Sequence, residues 1–239
     1  MKKIFSLFLS MLAVCVIGAS VYAAETGYIT TTATTQVELT PDVVDFDVEI
    51  VTTSKDSMNK AINENKTVSA KVYNNLKKAI EGNEADSLKT SNYNATPVYR
   101  YSNGKRYLDY YQVTNTVKVH TKKIDKVGSM MDKAIADGAT SVNNISYSVS
   151  EYDAECQKLL AKTAVKAKTQ AMSIIKELES EYVGVRSIDG SCSMSGSNMP
   201  RMVMSMKASV NDAVTETSTN IEVGKMTLTA RVTASFYLK

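Results

Sequence analysis

A single histidine, His120, stands in a chain of 239 residues, and that scarcity narrows the chemistry available to it. Any histidine-based metal site, or any serine–histidine triad, would rest on this one side chain. No phosphate-cradling glycine loop, nucleophile elbow or zinc-protease motif occurs, and nothing singles out a Ser/Lys pair. The formal charge of +3 is too close to neutral to give nucleic acid an electrostatic reason to bind. No second long apolar run follows the one at the N-terminus. The expectation is a non-catalytic protein with no cofactor and no nucleic-acid partner.

The N-terminal run has the organisation of an export signal. Lys2 and Lys3 precede an apolar stretch from Ile4 to Ile17, and Val21-Tyr22-Ala23 places compact residues at the positions read by a signal peptidase. Residues 1–23 are therefore expected to be removed. The run is short for a bilayer span, which needs roughly 20 residues. A retained anchor, or lipidation at Cys15, is the alternative. Loss of Lys2 and Lys3 takes the formal charge from +3 to +1. Export to the periplasm or to an outer-membrane-associated location is expected. There an oxidising environment permits Cys156 and Cys192 to pair, but sequence alone leaves their separation open, and two free thiols are the alternative.

Hydrophobic period divides residues 24–239 into an α+β pattern. Thr35–Thr53 reads as a strand, with Val44, Phe46, Val48 and Ile50 on one face and Asp45, Asp47 and Glu49 on the other. Lys55–Glu81 reads as a helix carried by Met58, Ile62, Val68, Val72, Leu76 and Ile80, and Gly82-Asn83 ends it. Leu88–Tyr101 and Lys105–Thr121 are strands on either side of Asn103-Gly104, the strongest short hairpin signal. A shorter helix uses Ile124, Val127, Met131 and Ile135, and Val142–Val149 is the next strand. Glu151–Glu181 is a long helix built on Cys156, Leu159, Leu160, Ala164, Ala167, Ala171, Ile174, Ile175 and Leu178. Its small residues predict close packing on a sheet. Val183–Asp189 and Ile221–Leu238 are the last strands, with 191–220 between them read as a Met/Ser-rich insertion. The order is β-α-β-β-α-β, then a long helix and two further strands. Helices on an antiparallel or mixed sheet follow, in one domain or two subdomains.

The hairpin carries six of the thirteen tyrosines between Tyr93 and Tyr111. A two-residue turn at Asn103-Gly104 predicts that Tyr101 faces Arg106, Arg100 faces Tyr107, Tyr99 faces Leu108, Val98 faces Asp109 and Thr96 faces Tyr111. Lower down, Thr90 should meet Val117, and Leu88 should meet Val119. The base then joins the core, while the tip presents tyrosines on both faces with arginines opposite. Tyrosine gives large contact area at low entropy cost. Tyr99, Tyr101, Tyr107, Tyr110 and Tyr111 are accordingly the candidate interface residues. His120 falls on a polar face beside Lys118. The Asp45, Asp47, Glu49 ladder is read as a solvated face, because chelation needs ligands that converge.

Four ordered blocks resemble one known family. They are "TPDVVDFDVEIVTTSKDSMNKAINENKTVSAKVYNNLKKAI", the tyrosine-bearing block from Leu88 to Glu151, "AVKAKTQAMSIIKEL" and the closing "GKMTLTARVTASFYL". Together they resemble the SIMPL-domain family, also called DUF541, along nearly all of residues 24–239. The resemblance implies an exported, oligomeric α+β protein of the bacterial envelope, linked to envelope homeostasis or oxidative-stress tolerance. An envelope protein or a membrane surface is a further partner it suggests. It supplies no catalytic residues. The turn "IEGNEADSLKT" is longer and more acidic than the family's usual one.

One segment suggests a different chemistry. Met194, Met199, Met202, Met204 and Met206 set five thioethers within "CSMSGSNMPRMVMSMK". Soft thioethers suit Cu(I), with Cys192 as a neighbouring thiolate. The alternative function is thus periplasmic copper binding or redox buffering. The simpler reading is an adaptable contact loop, since methionine fits irregular apolar surfaces.

Overall fold

The computed structural model describes residues 27–196, 219, 221 and 223–239. The expected signal segment 1–23 lies outside the described residues, as does most of the 191–220 insertion. The elements are β1 (Tyr28–Leu39), β2 (Val43–Ser54), α1 (Met58–Ile80), β3 (Ser87–Ser102), β4 (Lys105–Thr121), a 3-10 turn (Ile124–Lys126), α2 (Val127–Ala136), β5 (Ser141–Ser148), α3 (Tyr152–Glu177), β6 (Tyr182–Ser195) and β7 (Met226–Leu238). They form an α+β fold of two antiparallel sheets, ordered β3-β4-β2-β5 and β1-β7-β6.

The central lobe is a split βαβ arrangement. β2 and β3 both run antiparallel to β4, which lies between them, and α1 makes the crossover. Strand alternation puts Val44, Phe46, Val48 and Ile50 under the helices, as their spacing predicts. They meet Val117 and Val119 of β4, Val72, Leu76 and Ile80 of α1, and Val127, Met130 and Ala134 of α2. The start of α1 departs from the predicted stripe. Its buried positions there are Ala61, Asn65 and Ser69, whereas Met58 and Ile62 are only half-buried. Asn65 is tolerated because its amide donates to the carbonyls of Ile50 and Val113, at 3.1 and 3.2 Å, and its own oxygen accepts from Ser69.

A second buried polar group joins α1 to the end of α2. The Asp137 carboxylate is 1% exposed and accepts from Asn75 at 2.5 Å and Lys133 at 3.2 Å, with Lys71 at 3.3 Å. Burial alone would raise its pKa. The hydrogen bonds from Asn75, Lys133 and Lys71 outweigh that, and the group sits below its ordinary value.

The terminal lobe is built from both ends of the chain, with α3 on one face of its sheet. The sequence reading of Thr35–Thr53 as one strand needs correction. Thr40-Pro41-Asp42 breaks it, and the two halves enter different sheets. β1 pairs with β7 over twelve residues, Tyr28↔Tyr237 to Leu39↔Met226, without a register shift. Thr163, Ala167 and Ala171 keep α3 close to β1, so the Thr31 hydroxyl reaches the Ala167 carbonyl at 2.9 Å. The last two strands also differ from expectation. β6 continues through Ser195, so 191–195 is strand rather than insertion. β7 starts at Met226, and Ile221 and Val223 pack on the central lobe instead. Cys156 and Cys192 are joined in a disulfide between α3 and β6.

Side-chain clamps tie the lobes at their crossings. Asp42, after β1, accepts from the Ser150 amide at 2.7 Å and from its hydroxyl at 2.5 Å, just before α3. Thr219, upstream of β7, donates its amide and hydroxyl to Asp132 of α2, each at 2.7 Å. Gly128 makes the second clamp possible, since a β-carbon there would overlap the Thr219 carbonyl.

Replacing both Cys156 and Cys192 by serine should lower stability by about 4 kcal/mol, the loop-closure value for 36 residues. The loss should show as a lower urea midpoint, with faster amide exchange in the terminal lobe than in the central one. Asp137→Ala should lose about 1–3 kcal/mol, because Asn75 is left without its partner. A carboxyl whose folded pKa is depressed stabilises above its unfolded value of about 3.9, and that contribution disappears as pH falls through the folded value. Urea midpoints from pH 6 down to pH 3 should therefore fall more for the native chain than for Asp137→Asn.

Candidate functional site

The hairpin of β3 and β4 extends past its own sheet. β2 accompanies β4 only as far as Ser54↔Tyr111, so the segment from Val98 to Tyr110 projects without a third strand. The turn is the predicted one, with positive φ at both Asn103 and Gly104. The first three predicted pairs, Tyr101↔Arg106, Arg100↔Tyr107 and Tyr99↔Leu108, are present. Beyond them the expected register fails. Val98 faces Tyr110 rather than Asp109, and Thr96 faces Gln112 rather than Tyr111. Asp109 is the extra residue of a bulge in β4, and its carboxylate lies 3.7 Å from Arg100. A second bulge, at Ser91 of β3, cancels the shift, so Thr90↔Val117 and Leu88↔Val119 stand as predicted.

The first bulge decides which way the tyrosines face. Pro97, Tyr99, Tyr101, Arg106, Leu108 and Tyr111 share the face that leads down to Val113 and the helices. Val98, Arg100, Tyr107 and Tyr110 share the other. Without the bulge, Arg106, Tyr107 and Leu108 would exchange faces, while Tyr110 and Tyr111 would keep theirs. The Arg106 guanidinium stacks 3.6 Å from the Tyr99 ring centre, and Arg100 lies 5.5 Å from Tyr107. Among the described residues Tyr101 has no such partner, and it is 74% exposed. Tyr99 and Tyr107 are also exposed, and Tyr110 and Tyr111 are half-buried. Stacked rings hold the tip in shape, at about 0.5–1 kcal/mol per exposed cation–π pair. The arrangement can make contacts.

Elsewhere the fold brings His120 and Asp45 together, and the other candidates stay apart. His120 lies on the open face of the central sheet, with Nδ1 3.1 Å from Asp45 Oδ1, and Lys118 is 3.7 Å from the same oxygen. Asp47 accepts from Asn144 at 2.8 Å, and Glu49 from Ser141 at 3.1 Å, so each carboxylate of the ladder has its own partner. A groove of about 810 Å³ runs between α1 and α2 over Val72, Leu76 and Met130. Its two carboxylates, Asp132 and Asp137, are already engaged by Thr219 and by Asn75, Lys71 and Lys133. Met194 belongs to β6 and packs beside Leu228 and Leu159, while Met199, Met202, Met204 and Met206 lie outside the described residues. Cys192 is in the disulfide and supplies no thiolate. The signal sequence reasoning passed over was alternation: Cys192 and Met194 point inward between Ser191, Ser193 and Ser195.

A family model for SIMPL, described as a protein of unknown function (DUF541), matches residues 29–236. The uncharacterized protein YggE of Escherichia coli (strain K12) is 26% identical over 129 residues, 53% of this chain and 50% of the relative. The match thus spans about half the length of that relative. The uncharacterized protein YggE of Edwardsiella ictaluri (strain 93-146) is 25% identical over 169 residues, 69% of this chain and 70% of its own. The matched range runs from the start of β1 to the end of β7 and takes in both lobes, and the chain belongs to the SIMPL family.

Proposed function

We propose that this SIMPL-family protein is a non-catalytic protein of the periplasm or cell envelope that acts through contacts, and that copies of it assemble through the hairpin tip. The observation that carries the reading is the projecting ribbon from Val98 to Tyr110, with exposed Tyr99, Tyr101 and Tyr107 braced by Arg106 and Arg100. Such a tip adds nothing to either core, yet it concentrates the residue types that dominate interface energetics. The resemblance to exported envelope proteins supports the location, and with it a role in envelope homeostasis or oxidative-stress tolerance.

Light scattering on residues 24–239 should show a defined assembly. Changing Tyr99, Tyr101, Tyr107 and Tyr110 together to serine should reduce it to monomer, with a helix and strand signal unchanged in circular dichroism. A native chain that stays monomeric at every concentration overturns the reading, as does an assembly of unaltered mass in the variant.

A further inference from the structure

The two sheets leave four strand edges among the described residues, and three of them are blunted. β3 carries Pro97, Lys89 and the Ser91 bulge. β5 is eight residues long and is interrupted at Asn144, which has positive φ. β6 bulges at Val183 and again at Arg186. These are the usual devices that stop an edge from pairing with another chain. β1 has none of them. Its twelve residues contain no proline, glycine or lysine, its only charge is Glu38, and its ladder to β7 is unbroken.

The backbone groups of β1 left unpaired among the described residues can be assigned. Leu238 donates to the Gly27 carbonyl, so odd-numbered residues turn toward β7. Alternation then turns the amides and carbonyls of the even residues, Thr30, Thr32, Thr34 and Gln36 among them, to the open side. One side chain reaches them there: Lys166 of α3 donates to the Thr34 carbonyl at 3.0 Å. That bond also fixes which flank of α3 overlooks the edge. Lys162, Lys166, Gln170, Ile174 and Leu178 each sit one residue from a turn-to-turn row that includes buried Thr163, Ala167, Ala171 and Ile175, so all five share the flank. Ile174 and Leu178 are 44% and 62% exposed. The helix runs antiparallel to β1, as the Thr35–Thr163 and Thr31–Ala167 contacts show. The flank is therefore cationic beside Thr35 and apolar beside Ile29.

We propose that the β1 edge accepts an extended polypeptide segment as a fourth strand of the terminal sheet. The segment is acidic where it passes Lys162 and Lys166, and apolar where it passes Ile174 and Leu178. A second copy of β1 paired along its full length fits poorly. Antiparallel self-pairing centred on Ala33 would bring the two Lys166 side chains together near the two-fold axis and set each Lys162 toward the apolar half of the partner helix. It would also leave Ile174 and Leu178 opposite the other end of the partner helix. This edge is separate from the hairpin tip, and neither proposal depends on the other.

The probe is a fluorescein-labelled, acetylated decapeptide of alternating threonines, with glutamate at the intervening positions of its N-terminal half and leucine in its C-terminal half. Its control has lysine for glutamate. Anisotropy against residues 24–239 should show binding of the glutamate peptide, with the lysine peptide at least about tenfold weaker. The double change Lys162→Glu with Lys166→Glu should reverse that preference. Thr32→Pro, which removes an amide facing the open side, should abolish binding of both peptides. The charge-reversal variant decides the matter if Thr32→Pro fails to fold. Absence of binding by either peptide up to millimolar concentration overturns the proposal, as does equal binding of both. So does a preference unmoved by the lysine changes. A fall in the mass of the protein alone on Thr32→Pro assigns the edge to a second copy and overturns it as well.

Discussion

The ladder between β1 and β7 is the constraint on which the rest of the molecule depends. It joins Tyr28 to Tyr237 and Leu39 to Met226, so the first and last described strands lie side by side. Without it, α3 and β6 would have no complete sheet to pack on, because Ala33, Val232, Ala234 and Phe236 form their core only when the two termini meet. The central lobe is in effect an insertion between these partners. A contact of such sequence separation carries a large loop-closure entropy, which favours a central lobe that forms locally before the ladder closes.

The insertion is held where it enters and leaves. Asp42 and Ser150 sit on the two short crossings between lobes, and a carboxylate bonded to both an amide and a hydroxyl fixes those crossings against one another. Thr219 on Asp132 does the same for the third connection. Its close approach at Gly128 explains why a small residue stands in the first turn of α2. Apolar contact alone would leave such crossings free to slide. Directed hydrogen bonds to ionised groups do not.

Among the described residues both sheets carry helices on one face only, which leaves each lobe an open face and open edges there. Tyrosine and arginine stack at the hairpin tip, hydroxyls and paired carboxylates cover the sheet faces, and β1 is an edge strand among the described residues. The titratable groups with specific neighbours, such as Asp137 and Asp42, are spent on joining elements.

Sequence alone determined the elements whose signal is local. The buried face of β2, the type I′ turn at Asn103-Gly104, the close packing of α3 and the core role of Leu88, Val117 and Val119 all follow from period, turn chemistry and side-chain size. What only the tertiary structure decided are choices among partners of equal local merit. Thr35–Thr53 has strand character throughout, and Pro41 marks a break, but which sheet each half joins depends on β7, nearly two hundred residues later. The bulges at Ser91 and Asp109 were likewise invisible, because an extra residue can be absorbed at many points along a ladder. The Asp109 bulge nonetheless exchanges the faces of Arg106, Tyr107 and Leu108. The pairing of Cys156 with Cys192 belongs to the same class. Two cysteines on different elements state that a bond is possible, and only the packing of α3 on β6 brings them within reach.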